Sequence, residues 1–208
     1  DVRKFAVRHR DAANMFAAGL QGNASETVLS CDDVRQTLFE LLKQAFVRGY
    51  SREDVSLIGK AYHIAMTLFS DGFRPCGRPF LLHLVGTASV LVAYGFAARV
   101  VVCGMLHAAY SHASVGRLTN ASLDTVKRVL QSNFDDQVEL TIREYTRFRL
   151  DPVAWSNQSP EGPRTLDDAA VIAIALANDI DEHFAGEYLF THKRGANGQW
   201  SDFAVRAA

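Results

Sequence analysis

The chain has 208 residues, 48% of them hydrophobic and 22% charged, with 22 basic residues against 23 acidic ones. This composition excludes a disordered chain, and the length suits a single domain with short appendages. The net charge of −1 excludes a global attraction to nucleic acid or to an anionic membrane, so any ligand must be argued from a local site.

Residues 1–30 read as an N-terminal arm, mildly helical in the first half and then polar through Gln21, Gly22, Asn23 and Ser25. From Asp32 the apolar residues Val34, Leu38, Leu41, Leu42, Ala45 and Phe46 recur at helical intervals, and Gly49 follows as a stop. Ser51 with Asp54 forms a capping pair, and Val55, Ile58, Tyr62, Ala65, Met66 and Phe69 predict a second amphipathic helix ending near Ser70. Two glycines and two prolines in residues 71–80 forbid a continuous helix and impose a shaped loop.

Residues 82–94 and 97–109 are apolar on most faces and are separated by Gly95, so they predict a buried central pair of helices. After a polar segment at 111–123, residues 124–150 predict one partly exposed helix or two, with a break near 133–135. A proline-rich loop at 151–163 precedes a helix that starts at Thr165 with Asp168 and carries Ile172, Ile174, Leu176 and Ile180. No strand pair or repeat is evident. The expected division is an arm at 1–30, a helical domain at 31–190 and a tail at 191–208, whose Trp200 and Phe203 are free to pack back onto the body.

Three cysteines, Cys31, Cys76 and Cys103, are odd in number and match neither a disulfide framework nor a zinc knuckle. They point to a reducing compartment, read as cytoplasmic. The longest apolar run, 96–109, contains Arg99 and is too short to span a bilayer, so no membrane partner is expected.

His83 begins one central helix and His107 ends the next, so antiparallel packing brings two imidazoles together. Tyr110 and His112 follow His107, and the last helix offers Asn178, Asp179, Asp181, Glu182 and His183. Imidazole with carboxylate suits a divalent manganese, iron or zinc ion. On spacing alone, each histidine is more often a core residue with one hydrogen bond than a ligand, and the last-helix carboxylates read as a solvated face.

The stretch Arg74, Gly77, Pro79, Phe80, His83 resembles the Arg-x-x-Gly-x-Pro-Tyr-x-x-His segment of the hydrolase domain in the (p)ppGpp hydrolase/synthetase family, and His107 falls where that family's His-Asp dyad begins. The resemblance covers residues 40–112 and implies an all-α, HD-domain-like helical bundle. It also implies a manganese site held by the first histidine, the His-Asp pair and a later aspartate, with an acidic pair orienting water for pyrophosphate hydrolysis. Here Ala108 replaces the dyad aspartate, and Ser111 and His112 replace the acidic pair. The later aspartate maps to Asn178 or, after a one-residue slip, to Asp179. Loss of these carboxylates strips the site of the negative charge a hard cation needs.

Three functions compete on these grounds. The first is a diverged HD-like domain that binds a small phosphorylated or nucleotide-like molecule, with Arg74 and Arg78 contacting its anionic groups. The second is a metal-dependent enzyme with a rearranged site of His83, His107 and Asp179, with His112 as base or fourth ligand and Tyr110 as proton donor, acting as a phosphohydrolase or, with iron, an oxygenase. The third is a noncatalytic scaffold that docks a partner through the arm or the tail. The absence of an aromatic-basic stripe leaves no nucleic-acid role.

Overall fold

The structure, a computed structural model, describes residues 29–69, 71–113, 122–150 and 166–187. The arm at 1–28, most of the polar segment after His112, the proline-rich loop at 151–163, the cap at Thr165 and the tail with Trp200 and Phe203 lie outside the described residues.

Among the described residues the fold is all-α, with one isolated bridge between Phe73 and Pro79 and no named strand. A 3₁₀ turn at Cys31–Asp33 precedes α1, Leu38–Val47. The apolar periodicity predicts a helix from Asp32, but Val34 is extended and the Thr37 side chain accepts from the Glu40 amide, so the helix starts six residues later at Leu38. The expected cap of α2, Arg52–Phe69, forms in both directions: the Ser51 amide donates to Asp54 Oδ2 and the Asp54 amide to Ser51 Oγ, each at 3.1 Å.

The loop from Asp71 to Pro79 folds back on itself. The Arg74 amide donates to the Arg78 carbonyl at 2.8 Å, and Gly77 takes φ +85° at the tip, a conformation that favours glycine. This turn sets Arg74 and Arg78 side by side at the entry to α3, Phe80–Ala93.

Every residue of α3 from His83 to Ala93 is buried. Leu84 and Leu91 are fully enclosed, and each contributes about 1.5–3 kcal/mol relative to exposure. Gly95, at φ +74°, ends the helix, and the chain returns as α4, Ala98–Leu106. A Cβ at Gly104 would overlap Leu91 Cδ1, so that glycine permits the close approach of α3 and α4.

After α4 come a turn at His107 and Ala108, a short α5 at Ala109–His112, α6 at Leu123–Asn133 and α7 at Asp136–Leu150. The break between α6 and α7 falls at Phe134 and Asp135, where the sequence places it. The last described helix is α8, Leu166–Phe184. Helix α3 packs against α8, α4 and α1, while α4 also packs against α2 and α7. The α3–α4 pair is therefore the centre of the bundle. Among the described residues, no helix is long and apolar enough to cross a membrane.

Candidate functional site

The ends of α3 and α4 bring the two central histidines together. The rings of His83 and His107 stand nearly perpendicular with centroids 5.2 Å apart, and both residues are buried. His83 Nδ1 lies 2.8 Å from Asp181 Oδ2, and because a carboxylate only accepts, Nδ1 carries the proton. The other ring nitrogen, Nε2, is buried and has no hydrogen-bond partner among the described residues.

His107 Nδ1 donates to the Gly104 carbonyl at 2.7 Å, which leaves the lone pair of the neutral ring on Nε2. Burial, then the neighbouring His83, push the His107 pKa well below its ordinary value; Arg74 and Arg149 act in the same sense against the Gly104 bond. His107 is accordingly neutral at physiological pH.

Beyond His107 opens a cleft of about 210 Å³ between the Arg74 loop, the start of α3, the turn at His107 and Ala108, and helices α5, α7 and α8. His107, Tyr145, Arg149, Asn178, Arg74 and His112 define its chemistry. Tyr145 stacks edge-on against His107 with centroids 5.1 Å apart, and burial raises the pKa of its hydroxyl, so the phenol stays protonated. His112 lies at the mouth, bonded through Nδ1 to Ser111 Oγ at 2.8 Å, with its ring centroid 5.3 Å from that of Phe80. Its pKa is lowered by burial, then by Arg74 and His83. The one carboxylate among the lining residues, Glu182, accepts from Arg74 Nη2 at 2.5 Å.

Behind this cleft sits a buried charge network. Arg78 donates through Nη1 to Asp181 Oδ2 at 2.8 Å and to Glu187 Oε1 at 3.0 Å, and through Nη2 to Asp181 Oδ1 at 3.0 Å. Arg74 Nε donates to Glu187 Oε2 at 2.7 Å. Burial pushes the Asp181 carboxyl up, but its bonds to His83 and Arg78 outweigh this and hold its pKa below the usual aspartate value. Helix α3 admits Asp181 because residue 86 is glycine: a Cβ there would overlap Asp181 Oδ1.

The structure therefore separates the residues singled out from sequence. His83 and His107 meet, with Arg74 and His112 beside them at the cleft. Asp179 is not among the cleft-lining residues; it accepts from Arg149 Nη1 and from Asn178 Nδ2, each at 3.1 Å, while Asn178 faces the cleft. Tyr110 also lies apart, donating to Glu139 Oε1 on α7, so the phenol in the cleft is that of Tyr145. Arg78 lies in the charge network, where it bonds carboxylates, Gln36 Oε1 and the Leu82 carbonyl.

As a metal centre the donor set is incomplete. Two facing imidazoles are of the ligand type that suits a transition ion. The position after His107 is Ala108, however, the wall opposite is Asn178, and Glu182 is paired with Arg74. No protein-family model matches the chain, and no curated protein matches it.

Proposed function

We propose that this protein is a diverged HD-like domain that binds a small phosphorylated molecule in the cleft beside His107, without a catalytic metal. One observation carries the reading. Among the described residues the cleft presents two guanidiniums, Arg74 and Arg149, with the amide of Asn178 and a single lining carboxylate, Glu182; Arg74 pairs with Glu182 and Glu187 and Arg149 with Asp179, so a ligand phosphate competes with these carboxylates for the donors. Such a lining attracts a phosphate or diphosphate, because a fork of charged donors meets anionic oxygens with short, charge-assisted bonds. Phe80, His112 and Tyr145 offer apolar and aromatic surface for the rest of the ligand.

Isothermal titration with guanosine 5′-diphosphate and with ribose 5-phosphate, in chelator and with guanosine as the unphosphorylated control, tests the reading. Both phosphorylated compounds are expected to bind better than guanosine. Arg149, whose side chain is 43% exposed, pairs with Asp179, so Arg149→Ala is expected to leave the fold intact. It is expected to weaken binding about tenfold, the loss of one charge-assisted hydrogen bond. Absence of binding, or equal binding by Arg149→Ala, would overturn the proposal.

A second reading is favoured by the fully buried, unpartnered Nε2 of His83. A metal-dependent enzyme of the HD type with a rearranged donor set would use that nitrogen together with His107 Nε2. Stoichiometric manganese, iron or zinc in protein purified without chelator, lost in His107→Ala, would favour this reading over the first.

A further inference from the structure

His83, Asp181 and Glu187 form a cluster with the composition of a transition-metal site. Each offers a ligand atom, these atoms lie within 4.8 Å of one another, and all three residues are buried. Asp181 and Glu187 have side chains only 1% exposed. Two carboxylates so close and so dry cannot both remain ionised without a cation between them.

That cation is part of the chain. Arg78 Nη1 bridges one oxygen of each carboxylate, at 2.8 Å to Asp181 and 3.0 Å to Glu187. Nη2 takes the second oxygen of Asp181. The same Asp181 Oδ2 that receives Nη1 also receives His83 Nδ1. A metal bound by His83 Nδ1 and the two carboxylates would have to displace the guanidinium from the same oxygens and release the Nδ1 proton.

We infer that Arg78 is a resident cation occupying a latent transition-metal site of His83, Asp181 and Glu187, and that its removal opens that site to a divalent ion. The arrangement explains how His83 keeps its orientation without a metal: the Arg78–Asp181 fork fixes the acceptor of Nδ1, a task a second-shell partner performs for metal-bound histidines. Gly86 belongs to the same device, since α3 must leave room for the Asp181 carboxylate. The inference stands independently of what fills the cleft.

Cobalt(II) titration of Arg78→Ala, read by visible d–d absorption and by metal content after dialysis, tests it. The variant is expected to bind about one equivalent of cobalt, at least about tenfold more tightly than the unaltered protein. On the Arg78→Ala background, Asp181→Asn is expected to abolish that uptake, which separates this cluster from Cys76, and His107→Ala is expected to leave it, which separates the cluster from the His83–His107 pair. Arg78→Lys, which keeps a positive charge in place, is expected to take up none. Should Arg78→Ala fail to fold alone, refolding with cobalt is expected to recover it. A folded Arg78→Ala with no gain in affinity overturns the inference. So does refolding that cobalt does not improve, uptake that survives Asp181→Asn, or uptake by Arg78→Lys equal to that of Arg78→Ala.

Discussion

At His107 the ring stays neutral in the fold because burial and the positive surroundings outweigh its bond to the Gly104 carbonyl. In the unfolded chain the same imidazole takes a proton near pH 6.5. The sign of the linkage follows: with a native pKa below the unfolded one, the unfolded state binds more protons as pH falls, so stability is full above about 6.5 and declines below it. At about pH 5.5 the loss from this one group is about 1 kcal/mol. His112, also lowered by burial and Arg74, adds a decline of the same sign. Urea unfolding at about pH 7.5 and 5.5 is expected to show a smaller difference for His107→Gln than for the unaltered protein. An unchanged difference would assign the acid sensitivity to other groups.

At the scale of elements, the contact between α3 and α8 turns on one missing methyl group. Gly86→Ala puts a Cβ into the Asp181 carboxylate, backed by Arg78 Nη2 at 3.1 Å. The expected cost is about 1–3 kcal/mol or more, since overpacking adds to a broken buried pair. Gly59 in α2 is the contrast, with no atom nearer than Leu42 Cδ1 at 4.0 Å. Gly59→Ala is expected to stabilise by about 0.5–1 kcal/mol through helix propensity, and denaturation midpoints of the two variants should move in opposite directions. The helices themselves were legible because Val55, Ile58, Tyr62, Ala65 and Phe69 repeat at helical spacing and Ser51 with Asp54 marks a start, although Met66, read into the same stripe, is exposed while Ala61 and Leu68 are buried. The start of α1 was not, because Val34 belongs to the apolar core while its backbone is extended, and periodicity reports burial rather than backbone state. The meeting of His83 and His107 follows from two apolar runs separated by a glycine. Tyr145 and Arg149 were legible in principle as an i, i+4 pair continuing the stripe of Val138 and Ile142, though alternation with charged residues concealed it. Glu187 had no local signal, since its role depends on a loop more than a hundred residues earlier in the chain.

For the whole molecule, a net charge of −1 conceals a local change: a cleft whose wall bears the guanidiniums of Arg74 and Arg149, and has Ala108, Ser111, His112 and Asn178 where the proposed HD-like ancestry would bear carboxylates. Under that reading, Ala108 and Asn178 are where the lost charge belongs, and both line the cleft beside His107. Ala108→Asp with Asn178→Asp is expected to reverse the selectivity. The double variant should take up about one equivalent of manganese, because carboxylates joined to two imidazoles restore an oxygen and nitrogen donor set. It should also bind guanosine 5′-diphosphate more weakly in chelator, since the added charges repel the phosphate. Asp179→Asn is the discriminating control: Asp179 is held by Arg149 and does not line the cleft, so it should affect manganese uptake by the double variant little. Metal content after dialysis, with circular dichroism to establish that the buried carboxylates are tolerated, decides the matter. A folded double variant without manganese would mean that Ala108 and Asn178 do not stand at metal-ligand positions, and the HD-like reading of the cleft would fall with them. Uptake lost in Asp179→Asn would instead restore Asp179 as the ligand, with α8 turned by one residue from the orientation that now points Asn178 at His107.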